Sequence, residues 1–215
     1  MVNRRLLPLA ALLAACAGGR TQSGPEAPVP SAPLSAFATV RMIALPVQYL
    51  RTGDSLGWSA KVGEPKAFLA RVDSALEAAL RDRGLETQWA FPSDLARTAR
   101  RNPMHATAPS MIRAGDAVRV MERRRDAQIP EPVATQVRAL AGFHDSRHAF
   151  VPVELRFERA PGGAGGRAVL HVAVLDVRLS QLVFSGDVAG PESLEPGLDL
   201  PSELARRFAN LIVER

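Results

Sequence analysis

The chain has 215 residues, 47% of them hydrophobic and 23% charged, with a formal net charge of +5. That length carries one domain with a sizeable core, or two very small ones. The composition excludes a collagen, a wholly disordered chain and a multi-span membrane protein, since no run reaches the roughly 18 consecutive apolar residues of a membrane helix. The first element, residues 1–15, reads as an export signal. Arg4 and Arg5 make its positive start, and Leu6 to Ala15 its apolar stretch.

Small residues lead from that stretch to Cys16, the only cysteine of the chain. The four residues Leu13-Ala14-Ala15-Cys16 resemble the lipobox of bacterial lipoproteins. The resemblance implies cleavage before Cys16, diacylglycerol on its sulfur and a further acyl chain, a palmitate for example, on the new amino terminus. Several acyl chains anchor stably where one does not. Ala17, where an Asp would retain the protein, implies the outer membrane, facing the periplasm. A mature body without thiols excludes disulfides, cysteine nucleophiles and cysteine-based metal sites.

Residues 16–36 are the lipidated Cys and a tether. Pro25, Pro28, Pro30 and Pro33 alternate with Gly, Ser and Ala, which cannot bury enough apolar surface to fold. Extended as polyproline II, such a tether reaches roughly 60 Å. Without Arg4 and Arg5 the 27 basic residues become 25 against 22 acidic, a mature charge of about +3. All but Lys61 and Lys66 are arginines, which accounts for the basic character. No nucleic-acid-binding motif is present, and no nucleic-acid partner is expected.

The remaining residues, 37–215, form one periplasmic domain. Thr39 to Gln48 is β-branched and apolar and predicts a strand buried on both faces, interrupted at Pro46. Tyr49 to Gly63 predicts a polar loop holding Trp58. Glu64 to Arg83 predicts a helix, with Phe68, Val72, Leu76 and Leu80 on one stripe, Pro65 in its first turn and Gly84 as its stop. Leu85 to Phe91 predicts a second strand. Ser93 is positioned to cap a short helix, Asp94 to Arg101. Asn102 to Ser110 is a loop. Met111 to Arg125 and Val133 to Phe143 predict two more helices. Phe150 to Arg159 alternates apolar and polar and predicts a half-exposed strand. A glycine-rich turn follows, then strands at Arg167 to Val177 and Gln181 to Val188, and a terminal helix, Pro201 to Glu214. The order β-α-β-α-α-α-β-β-β-α predicts an α/β sandwich with a mixed sheet. It closes with a C-terminal antiparallel three-strand meander and terminal helix.

An opening strand Ile43-Ala-Leu-Pro-Val47 feeds an amphipathic helix stopped by Gly84. The late meander carries Leu175-Asp176-Val177-Arg178 and Val183-Phe184-Ser185-Gly186. Together these resemble the periplasmic α/β domain shared by three kinds of protein: the Tol translocation protein's amino-terminal domain, the curli-secretion lipoprotein and lipoprotein activators of penicillin-binding proteins. The resemblance spans roughly residues 38–213 and implies a non-catalytic protein that binds in the envelope. No amphipathic strand pair beyond the meander is present, so no pore is expected.

Several constellations admit two readings. His144 and His148 with Asp145 have the spacing of a helical metal site. The competing reading, favoured because the helix ends at Gly142, is a loop in which Asp145 pairs with Arg147 and the histidines are solvated or cap. His171 is expected to face solvent. No nucleophile elbow and no S-x-x-K run is present, so hydrolase chemistry has no motif behind it. The stretch Gly162 to Gly166 lacks the lysine and following helix of a phosphate loop and reads as a hairpin turn. Asp176 and Arg178 share a strand face and read as a structural ion pair fixing the turn. Arg97, Arg100 and Arg101 with Arg119, Arg123, Arg124 and Arg125 make either a basic surface or solvated helix faces. Trp58, in its polar loop, is either packed inward or exposed as an anchor. With Tyr49 and Arg51 it marks the candidate partner-binding surface. The functional expectation is a lipid-anchored adaptor docking on an envelope protein, without catalysis and without a cofactor. The alternatives are an oligomeric component of a secretion or transport assembly, with self-association left open, and a metal-dependent enzyme.

Overall fold

A computed structural model describes residues 34–124, 128–163 and 165–213. The signal, Cys16 and most of the expected tether lie outside these residues. Packing begins at Leu34, which is buried and donates its N–H to Leu211 O at 2.8 Å.

Strand β1 is Met42–Ala44, buried throughout. It runs parallel to β3 (Trp89–Ala90) on one side and to β4 (His148–Arg159) on the other. The expected strand Thr39 to Gln48 is thus shorter and broken. Pro46 has no N–H to give, and the Val47 N–H turns away to Asp73 Oδ1 at 2.8 Å. The chain rejoins β4 as β2, Tyr49–Leu50, in what was expected to be loop. The second strand is likewise shorter than expected: Leu85–Thr87 is a 3-10 turn, and only Trp89–Ala90 pairs.

The meander appears as expected: β4, β5 (Gly166–Asp176) and β6 (Gln181–Ala189) pair antiparallel in succession. The sheet order is β3-β1-β4-β5-β6, with β2 also paired to β4. Strand β4 differs in one respect, being buried on both faces rather than half exposed. Its register shifts between Pro152 and Glu154, a bulge that accommodates a proline in a central strand.

Both faces are covered because the helices divide between them. Helix α1 (Trp58–Lys61) is a single turn. Helices α2 (Pro65–Arg81) and α6 (Leu200–Ile212) cover one face. There Phe68, Val72, Leu76 and Leu80 meet Leu204 and Phe208, and Phe208 stacks on Phe150 with centroids 4.6 Å apart. Helices α3 (Pro92–Arg101), α4 (Ala114–Arg124) and α5 (Val133–Phe143) cover the other, over Ile43, Leu45, Val151 and Val153. The result is a three-layer α/β/α sandwich with a mixed sheet.

The helix ends follow local chemistry. Glu64 caps α2, accepting from the N–H groups of Lys66 and Ala67. Gly84, at φ +76°, supplies the left-handed residue after α2. At α3 the cap is Asp94, which accepts the Phe91 N–H at 3.2 Å, and Ser93 instead donates its hydroxyl to Glu77.

Candidate functional site

One charged cluster joins β2, β4 and α4. Glu154, on β4, is 7% exposed. Its two oxygens are divided between Arg51 Nη2 at 2.6 Å and Arg119 Nη2 at 2.7 Å. The Arg119 guanidinium also lies over the Tyr49 ring, 4.3 Å from its centroid. Tyr49 Oη donates to Asp116 Oδ2 at 2.8 Å, and Arg113 Nη1 lies 3.6 Å from that oxygen. Burial, then the bond to Asp116, raises the Tyr49 phenol above its ordinary value and keeps it neutral. The outer edge of the cluster is formed by the exposed side chains of Arg51 and Arg113. Both oxygens of this buried carboxylate are taken by arginine partners. The arrangement suits recognition rather than acid–base chemistry. Of the residues singled out from sequence, it brings Tyr49 and Arg51 together, and it adds Glu154, Arg119 and Asp116. Along the strand Glu154 looks like its alternating polar neighbours Arg156 and Glu158, so no sequence signal set it apart.

Trp58 is not part of this surface. It is 2% exposed and meets Phe157 edge-on at 5.7 Å. Of the two readings of this residue, the inward one is correct. Gly166 makes the fit: a Cβ there would stand 2.3 Å from Leu56 Cδ1 and 3.0 Å from the indole. Asp54 organises the approach by accepting from the N–H groups of Leu56, Trp58 and Ser59. Burial raises the Asp54 carboxyl, but those bonds outweigh it and hold it below its ordinary value.

Asp176 is a structural carboxylate, with a different partner from the one expected. It pairs with Arg147 Nη2 at 2.7 Å and accepts from the N–H groups of Arg178 and Leu179, both at 3.0 Å. Strand β5 ends at Asp176, so the alternation that would align it with the Arg178 side chain stops there. Burial raises the Asp176 carboxyl, and the Leu179 N–H and Arg147 outweigh it and hold it low.

The two histidines of the 144–148 run diverge. Asp145, at φ 47°, bends the chain between them. His144 Nε2 reaches Thr98 Oγ1 at 3.0 Å, whereas His148 begins β4 and meets Phe37 edge-on. Burial lowers both below the ordinary imidazole value. Asp145 pairs with Arg41, and Arg147 with Asp176, so the expected Asp145–Arg147 pair does not form. Among the described residues no three His, Cys, Asp or Glu side chains converge as a metal site. Of the arginines singled out from sequence, Arg97 pairs with Asp94 and Arg119 with Glu154, and Arg125 lies outside the described residues.

His171 is held between acids rather than facing solvent. Its Nδ1 lies 2.8 Å from Asp187 Oδ1 and its Nε2 2.8 Å from Glu122 Oε1. Ser185 Oγ stands 3.4 Å from Nε2, which completes the outline of a Ser-His-Asp triad. Glu122 undoes it chemically, because the same carboxylate oxygen accepts from Ser185 and faces Nε2.

Asp73, which sequence reasoning missed, lines a cleft of about 500 Å³ with Pro46, Leu50, Leu69 and Ser110. Burial pushes its carboxyl up to about 7; the Val47 N–H opposes this and the charge of Glu77 adds to it. No spacing rule flags an Asp on the flank of an amphipathic helix.

The chain matches no protein-family model and no curated protein. Among solved structures it is similar to the NMR structure of E. coli LpoB, at 9% identity and a TM-score of 0.36, covering 89% of this chain and 84% of that one. It is also similar to a PelC dodecamer from Paraburkholderia phytofirmans, at 13% identity and a TM-score of 0.32, covering 82% and 91%.

Proposed function

We infer that this chain is a lipid-anchored periplasmic adaptor. Cys16 carries the acyl chains at the outer membrane, residues 17–33 give reach, and the α/β domain docks on an envelope protein without catalysis of its own. The observation that carries the reading is the single cysteine, placed in Leu13-Ala14-Ala15-Cys16 between an apolar signal and a proline-rich segment. A tether of that kind raises the local concentration of the domain at its partner. The docking surface is assigned to Tyr49 and Arg51 with Arg113 and Arg119, where two exposed guanidinium groups border a rigid, fully paired cluster. The reading without catalysis is supported by the pairing of the buried carboxylates, Glu154 with Arg51 and Arg119 and Asp176 with Arg147.

Two measurements test the reading. Metabolic labelling with palmitate is expected to mark the parent and not Cys16→Ser; an unlabelled parent refutes the anchor. A photo-crosslinking residue at Arg51 or Arg113, in living cells, is expected to capture one recurrent envelope protein. An empty crosslink at both positions, with the chain present in the membrane fraction, refutes the docking surface.

A further inference from the structure

The sheet has two edges of very different character. At one end β3 is only two residues long, a length that gives a second chain little to pair with. At the other end β6 runs for nine residues, Gln181–Ala189. The bond from Gly190 N–H to Ala168 O at 2.7 Å sets the parity of its main chain. Phe184, Gly186 and Val188 turn their peptide groups toward β5, and Ser185, Asp187 and Ala189 turn theirs outward. Arg207 reaches Ala189 O at one end, and Gln128 bridges Gln181 at the other. Between them the outward N–H and C=O of Ser185 and Asp187 meet no partner among the described residues.

Natural sheets guard such edges with lysine, proline or unpaired charge. Strand β6 has no Lys, Arg or Pro. Its single charge, Asp187, is taken up by Arg156 at 2.6 Å and His171 at 2.8 Å. A bulge at Val183 interrupts the edge on one side; from Phe184 to Ala189 it carries no unpaired charge, and its pattern there is self-complementary.

We propose that β6 is a self-pairing edge, on which a second copy of this chain adds its own β6 antiparallel about a two-fold axis at Gly186. In that register Ser185 faces Asp187 of the partner subunit, and Asp187 faces Ser185 of the partner subunit. Each of these two pairs exchanges both of its main-chain hydrogen bonds, so the outward groups of Ser185 and Asp187 are satisfied in both strands. The side chains agree with it. A hydroxyl meets a carboxylate on one face, and Phe184 meets Val188 of the partner subunit on the other. Moving the axis to Asp187 would oppose two like carboxylates, and moving it to Ser185 would bring the bulged Val183 opposite an aspartate. Charge therefore selects Gly186. The pairing does not rest on the docking surface at Arg51, and crosslinks at the two places report separately.

The test uses the full chain, extracted from membranes in detergent. At about 100 µM, above a micromolar-range association of a small interface, light scattering is expected to give a dimer for the parent and for Ser185→Ala. Ser185→Pro deletes the outward N–H as well as the hydroxyl, whose loss alone Ser185→Ala reports, and is expected to be monomeric with an unchanged circular dichroism spectrum. In membranes, Gly186→Cys, whose Cβ stands 2.9 Å from Phe184 Cζ and displaces the end of that ring, sits opposite itself in a non-hydrogen-bonded pair, whose Cα separation suits a disulfide. It is expected to form at least fivefold more crosslinked dimer than Ser185→Cys, which faces position 187. A monomeric parent refutes the pairing. Equal crosslinking at 185 and 186 refutes the register, and a Ser185→Pro protein that is folded and still dimeric refutes the use of this edge.

Discussion

Asp73→Asn separates charge from hydrogen bonding at one buried position. Asparagine keeps an oxygen to accept the Val47 N–H, which Asp73 Oδ1 now accepts at 2.8 Å, and removes the ionisation. In the folded protein the Asp73 carboxyl is pushed up to about 7, first by burial and further by Glu77. In the unfolded chain it titrates near ~3.9. The folded state therefore holds the proton over a window in which the unfolded state has lost it. Stability from this group is complete below about pH 4 and is lost as the pH rises toward 7. With about 1.4 kcal/mol for each unit of difference, the loss between pH 5 and pH 8 comes to about 3 kcal/mol. Urea unfolding reads it through Trp58 and Trp89, both buried. At a urea dependence of about 2 kcal/mol per molar, Asp73→Asn is expected to unfold about 1.5 M later than the parent at pH 8. At pH 4 the two should unfold together. The histidines titrate equally in both proteins and cancel in the difference. If the two proteins keep the same difference at pH 4 and pH 8, the carboxyl is not desolvated and the reasoning fails. If the variant is the weaker at pH 8, the charged form is the one the fold needs.

Arg119→Met removes one of the two partners of the Glu154 carboxylate and its cover over Tyr49, and should destabilise the fold by about 2 kcal/mol, measured by the same urea titration; Glu154→Gln in that background should recover part of the loss. Gly166→Ala drives a methyl into Leu56 and the Trp58 indole and should cost about 1–3 kcal/mol with a shift in tryptophan emission, whereas the same change at Gly162, where a Cβ meets nothing, should be close to neutral in both readouts. His144 and His148, both lowered by burial, are stabilising above the unfolded value near ~6.5 and lose that contribution as the pH falls through it; His144→Gln should flatten the parent's stability curve between pH 6.5 and pH 5.

The helices were legible in the sequence because their information is local. The stripe Phe68, Val72, Leu76 and Leu80 states both the helix and the face it buries, and α5 runs from Val133 to Phe143 as its pattern predicts. The strands were legible only as far as one layer of contacts. Strand β4 reads as half exposed because Glu154 and Arg156 alternate with apolar residues; what buries its polar side is α4 and the end of β2, which no window around β4 contains. The same reason explains the misassigned pairs. Asp176 has Arg178 two residues away, yet its guanidinium comes from Arg147, 29 residues back. Asp145 has Arg147 beside it, yet pairs with Arg41, 104 residues back. Spacing rules hold within a regular element and lapse at its ends, and both of these aspartates sit at ends. The consequence for the docking surface is specific. Tyr49 and Arg51 could be picked out as residue types, but their environment belongs to Glu154 and Arg119. Arg51 already has a carboxylate at 2.6 Å. A partner that offered it another acid would have to compensate a buried Glu154 left with one arginine, which costs more than an exposed ion pair returns. Recognition at this surface is therefore best served by neutral acceptors and apolar contact that leave the Glu154 pairs in place.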